Sequence, residues 1–254
     1  MLFTFASCNK ANNGNTSGSA TSSQSGSSQG ETVSGSSQQP LPSSNMPLYS
    51  GPEKEKSYSV KTTDYEYKKN NKKYRASYPQ LSKDGKDYSK LNTLLKNTAM
   101  QTINSLGTGG SSEAEVNVSS HVYLRSDNFI SVSFSESKKT SSGSDSVSSF
   151  RTVNYDLKNG KAVSASDMVQ NNDALYKAVE NAVKTSMSKK NAAKFTSSVI
   201  KSGLKSFTVY FKDNSMGISL TVPHNLDDHK EIKLNYKDTS GFRTSNAAWS
   251  NFIK

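Results

Sequence analysis

Tyr58 to Leu106 reads YSVKTTDYEYKKNNKKYRASYPQLSKDGKDYSKLNTLLKNTAMQTINSL, and the apolar period changes within it. Tyr58-Val60, Tyr65-Tyr67 and Tyr74-Ala76-Tyr78 alternate with polar residues on either side of Lys68-Lys69-Asn70-Asn71-Lys72-Lys73, the pattern of two half-buried strands joined by a turn. Pro79 is expected to close the second strand, because proline brings no N–H to a central ladder. From Asp87 onward the period lengthens. Leu91, Leu94, Leu95, Ala99, Ile103 and Leu106 fall three and four apart on one face of a helix, with Asp87 or Ser89 as its cap and Gly107 as its stop.

The rest of the chain repeats this grammar. Val116-Val118 and Val122-Leu124 lead into Phe129-Ile130-Ser131-Val132-Ser133-Phe134, a strand buried on at least one side, and Ser137 to Ser149 is expected to be a flexible loop. Phe150 to Leu157 is another strand, and Lys158-Asn159-Gly160-Lys161 predicts a type I′ turn, since Asn and Gly both tolerate positive φ. Ala162-Val163 returns, and Ser166 to Val169 makes a short helical turn. A second long helix is capped by Asn172 or Asp173 and turns Leu175, Val179, Ala182, Val183 and Met187 inward, and a smaller one is expected over 192–204. Three alternating strands close the chain: Phe207-Val209-Phe211, Ile218-Leu220-Val222 and Ile232-Leu234-Tyr236. Hairpin-linked strands separated by two helices predict an α+β fold, a largely antiparallel sheet with two main helices packed on one side.

Composition divides the chain. From Lys10 to Asn45 the only side chains able to enter a core are Val33, Leu41 and small alanines. Such a segment cannot offset an ordering entropy of ~1 to 2 kcal/mol per residue, so 9–56 is expected to be a disordered Ser/Gly/Asn/Gln tether, 57–238 the α+β domain and 239–254 a C-terminal extension. The formal charge of +11 falls on the domain, because Lys10 and Glu31 cancel and no other charged side chain precedes Glu53. A basic surface favours polyanions: nucleic acid, an anionic membrane face or an anionic wall polymer.

Cys8 is the single cysteine of the 254 residues, which excludes an intramolecular disulfide and a Cys-based zinc site. Residues 1–8 resemble the end of a lipoprotein signal peptide, with Phe5-Ala6-Ser7-Cys8 in the place of the lipobox and Phe5 where Leu is usual. That resemblance implies diacylglycerol on the Cys8 thiol, a domain at the extracytoplasmic face of the cell membrane, and a tether reaching on the order of 40 Å root-mean-square. An export signal argues against nucleic acid as the partner.

A second resemblance concerns the domain. Asn128 to Phe134, Phe150 to Lys161 with its Asn-Tyr-Asp-Leu-Lys-Asn-Gly-Lys ending, Ser166 to Val169, Phe207 to Asn214 and Ile232 to Tyr236 are similar to the extracytoplasmic domain that accompanies the catalytic module of peptidoglycan deacetylases. A similar domain forms the outer part of a lysozyme-responsive anti-sigma factor. The likeness spans about Tyr58 to Asp238 and implies a non-catalytic α+β module at the cell surface, the fold transferring more safely than the partner. The family often carries Gly-Gly-Ala-His ahead of the central hairpin, where this chain has Ser141-Ser142-Gly143-Ser144-Asp145-Ser146.

Catalytic signatures are thin. His224 and His229 flank Asp227 and Asp228, but without a helical His-x3-His spacing, after Pro223, and they read as a polar loop; His121 reads as lying beside a strand. Ser126-Asp127-Asn128 matches one element of penicillin-recognising serine enzymes, yet Ser135-Glu136-Ser137-Lys138 follows it where Ser-x-x-Lys must precede, and no Lys-Thr-Gly comes after. No catalytic residue, cofactor or metal ligand is assigned. Tyr65, Tyr67, Tyr74, Tyr78, Tyr123, Tyr155, Tyr210 and Tyr236 are expected to be about half core, the others free to form a platform with lysines. The function read from these features is a lipid-anchored binding or sensing module for anionic wall polymer or peptidoglycan. A lysozyme receptor or inhibitor is the first alternative, opposed by like charge, and a peptidoglycan-modifying enzyme is the second.

Overall fold

The computed structural model describes residues 57–141 and 145–253, all within the unit Ser44–Lys254. Cys8, the signal-peptide resemblance and the tether lie outside the described residues. The opening hairpin pairs β1 (Ser59–Lys69) with β2 (Lys72–Ser82) through Asn70 and Asn71, both at positive φ (53° and 61°). This is the two-residue type I′ geometry, whose twist matches that of the flanking strands. The second strand does not stop at Pro79. β3 (Ala114–Arg125) pairs with β2 only as far as Ala76, so position 79 meets a ladder on one side alone, where a proline is tolerated.

Between β2 and β3 runs α1 (Ser89–Leu106), which buries Leu91, Leu95, Ala99, Met100 and Ile103. Full burial of each large side chain contributes roughly 1.5 to 3 kcal/mol. Asp87 accepts the Ser89 N–H (2.7 Å), and Gly107, at φ 61°, ends the helix. Having a helix as the crossover makes β2 and β3 parallel, whereas the other pairs of the sheet are antiparallel. Lys72, buried in β2, points its ammonium at the carbonyls of Leu106, Gly107 and Gly109 (3.2, 3.1 and 2.5 Å), a cation where the helix dipole is negative.

β4 (Phe129–Lys139) and β5 (Val147–Asp156) reach further than their serine-rich sequence suggests. The segment expected as a loop over 137–149 is in part ladder, with Ser137 opposite Ser148 and Lys138 opposite Val147. Beneath it, buried Glu136 binds Arg151 (2.6 Å) and the Thr102 hydroxyl (2.8 Å), so the carboxylate is satisfied without leaving the strand. The turn to β6 (Lys161–Ala162) is also not type I′. It is a four-residue loop in which only Gly160 has positive φ, because Asp156 accepts both the Asn159 N–H (2.9 Å) and its side-chain amide (2.7 Å) and holds Asn159 right-handed.

α2 (Ala165–Met168) begins in a Ser164–Asp167 capping box, and α3 (Asp173–Ser186) begins with Asn172 accepting the Leu175 N–H (3.1 Å). The helix expected over 192–204 is two: α4 (Lys189–Ala192) and α5 (Ser197–Gly203), each restarted by its own cap, Ser188 and Thr196. β7 (Phe207–Phe211), β8 (Ser215–Thr221) and β9 (His229–Asn235) form a separate three-stranded antiparallel sheet. The α+β class with largely antiparallel pairing and two main helices is what the structure has, divided between two sheets. α1 covers one face of the six-stranded sheet, and α3 with α5 covers one face of the small one.

Leu124 and Phe129 on the far face of the large sheet join the core of the small one. Residues after Asp238 belong to that core too: Phe242, Ala248 and Trp249 are buried, and the Trp249 indole donates to the Met168 carbonyl (2.9 Å). No helix among the described residues is long and apolar enough to cross a membrane.

Candidate functional site: a lysine face and an aromatic corner

Alternation along β7–β9 separates two surfaces. Val209, Ile218 and Ile232, which pair across the strands, point into the core beneath α3 and α5. Tyr210, Gly217 and Glu231 stand one residue out of step and point the other way. The lysines of the helices and the tyrosines of the sheet therefore do not converge on one concave surface.

The helical face carries the charge. Lys177 and Lys184 are on α3, Lys189 and Lys190 on α4, Lys194 in the link, Lys201 on α5 and Lys205 just past it, and all seven are exposed. Over 173–206 these seven lysines stand against two carboxylates, Asp173 and Glu180, a net +5 of the chain's +11. Glu180 holds Lys184 at 3.1 Å, and the other six lysines are in no ion pair among the described residues. Beside this face lies an open groove of about 350 Å³ lined by Lys194, Val199, Pro223, Asn225 and Leu226.

The corner lies where β3 and β5 meet β7 and β9. Tyr123 and Tyr210 stack at 4.1 Å, His121 meets Tyr123 edge-on at 4.5 Å, and Phe150 packs between Tyr210 and His229. The Lys212 ammonium lies 4.5 Å from the Tyr123 ring centre and the Tyr123 hydroxyl donates to Glu231 (3.3 Å). Burial, then the Glu231 charge, pushes the Tyr123 phenol up to about 12 and raises Tyr210 further. Burial lowers Lys212, with Glu231 opposing, and lowers His121, with Lys212 adding to the effect. The corner is a contact between the two sheets in which the buried Nδ1 of His229 has no hydrogen-bond partner among the described residues.

The histidines do not gather. His224 pairs with Asp228 (2.9 Å), which raises its pKa, and stands 3.9 Å from Asp145, while His229 stacks on Phe150. Among the described residues no group of three or more His, Cys, Asp or Glu is placed to hold a metal ion. Ser126-Asp127-Asn128 is the β3–β4 turn, in which the Ser126 hydroxyl accepts the Phe129 N–H (3.0 Å). Ser135 to Lys138 lies within β4. Of the eight tyrosines, Tyr74, Tyr78, Tyr155, Tyr210 and Tyr236 are buried, and Tyr65, Tyr67 and Tyr123 are half-buried. Sequence reasoning used only the total charge and missed where it sits; a sum over 173–206 would have found it.

No protein-family model matches the sequence, and no curated protein matches it. Solved structures do match. A DUF3298 family member from Bacteroides fragilis is 12% identical with a TM-score of 0.51, over 78% of this chain and 99% of that one. A DUF3298 family protein from Pseudomonas aeruginosa is 14% identical with a TM-score of 0.47, over 74% of this chain and 95% of that one. The B. fragilis protein shows a shared fold, and the described domain is DUF3298-like in that sense.

Proposed function

We propose that this chain is a surface-displayed, non-catalytic binding module, held to the extracytoplasmic face of the membrane through lipidated Cys8 and acting on the cell wall, peptidoglycan or its attached anionic polymer. The observation that carries this reading is the net +5 over 173–206, with all seven lysines exposed along α3, α4, α5 and their links. A surface of point charges attracts an extended polyanion over a Debye length of about 8 to 10 Å at physiological salt. The sequence resemblance to the domain of peptidoglycan deacetylases and of the lysozyme-responsive anti-sigma factor supports the same setting, and the DUF3298-like fold is compatible with it. Against a basic protein such as lysozyme the same face is repulsive.

The test is co-sedimentation of the full-length chain with purified wall sacculi. Retention is expected at low salt, with release of at least half the bound protein by 0.5 M salt. Failure to sediment with sacculi at low salt would remove the reading.

A further inference from the structure

The make-up of the helical face selects among the components of a wall. We infer that the outer face of α3–α5 is a docking surface for a linear, phosphodiester-linked polymer held in the wall. This rests on the wall-binding reading above and names the component bound.

Two features suit a phosphodiester chain. The cations are all lysines, compact charges that suit a phosphate approached from any direction. Asn191, Ser198 and Ser202 are exposed among them, the neutral donors that commonly accompany lysine at phosphate oxygens.

The groove beside the face adds apolar surface to the charge. The groove of about 350 Å³ is partly open to solvent and is lined by Lys194, with Val199 and Leu226 as apolar surface on which the carbon part of a repeat can lie. Nucleic acid shares the phosphodiester but needs platforms for its bases. The three helices and their links contain two aromatic residues: Phe195 is buried, and Tyr176 has Lys201 5.2 Å from its ring centre and its hydroxyl bonded to Glu180 (3.1 Å) and Ser197 (2.9 Å). Neither ring is a fully exposed platform for a base.

The experiment sediments the full-length chain with two preparations of sacculi, one intact and one stripped of phosphate by hydrofluoric acid, and competes with soluble glycerol-phosphate polymer and with single-stranded DNA. Two variants of equal charge change are compared, Lys189→Glu with Lys190→Glu on the face and Lys68→Glu with Lys73→Glu on the β1–β2 hairpin. Binding to intact sacculi is expected to exceed binding to stripped sacculi at least tenfold, and the face variant is expected to lose about tenfold where the hairpin variant loses less than threefold. Equal retention on stripped sacculi overturns the phosphodiester assignment while leaving wall binding in place. No retention on either preparation removes the wall reading itself. Equal losses in the two variants overturn the face, and DNA competing as well as the glycerol-phosphate polymer overturns the choice of polymer.

Discussion

A β-carbon on Gly217 would lie 2.0 Å from Cζ of Tyr210, its cross-strand partner, far inside van der Waals contact. The glycine is therefore what lets the phenol ring lie flat across β8 and reach the Tyr123 stack. Gly217→Ala must push the ring out of its place, and a forced repacking of this kind costs about 1 to 3 kcal/mol. Tyr210→Ala removes the obstruction, so Gly217→Ala introduced into Tyr210→Ala is expected to cost less than about 0.5 kcal/mol. A double-mutant cycle by urea denaturation measures the coupling, and additive losses would show that Gly217 matters for some other reason. A glycine within a strand pattern announces a close approach without saying of what. The partner was not legible, because it comes from register between strands and no periodicity within one strand encodes it.

Among the elements, β7 is the edge of the small sheet, and an edge strand leaves N–H and C=O groups without partners. Here side chains of the large sheet take them. The Phe211 N–H donates to the Ser131 hydroxyl (2.9 Å), that hydroxyl donates to the Asn154 carbonyl oxygen (2.7 Å), and the Asn154 amide donates to the Val209 carbonyl (2.8 Å). Ser131 and Asn154 are 0% and 3% exposed, so no water replaces a lost partner. Asn154→Ala is expected to destabilise the domain by about 2 to 3 kcal/mol, since it leaves buried groups unmade at both ends. Amide exchange gives a local readout: Ser131→Ala should speed exchange at Phe211 more than at Val209 or Ile218, and unchanged exchange at Phe211 would discount the clasp. The elements themselves were largely legible, since α1, α3 and the closing strands follow hydrophobic periods. That the strands form two sheets was not, because Ser131 and Asn154 read as ordinary polar positions until their partners, about 80 and 55 residues away in sequence, are known.

At the scale of the molecule, the charge total was legible from composition, whereas its gathering on α3–α5 depends on those helices sharing one side of the small sheet. The histidines make a similar case, since three alike in sequence meet three different surroundings. Burial lowers His121, flanked by Lys212 and Glu231, and lowers His229, which faces Asp227, Asp228, Lys230 and Glu231. Hydrogen bonding to Asp228 raises exposed His224, with Asp228, Asp145 and Asp227 adding to the effect. A folded-state pKa below the unfolded value of about 6.5 means stability that is complete above that value and lost as pH falls through the folded pKa. A raised pKa has the opposite sign: its contribution is present below about 6.5 and lost as pH rises through the folded pKa. Two half-buried groups oppose one exposed group whose coupling is screened, so the domain is expected to lose stability between pH 7.5 and pH 5.5. Urea midpoints across that range measure it. His229→Phe, which keeps a ring against Phe150, should flatten the fall, and His224→Gln should steepen it. Ring-proton titration of the same protein should give His224 the highest of the three pKa values; any other order would mean that Asp228 does not hold His224 in solution.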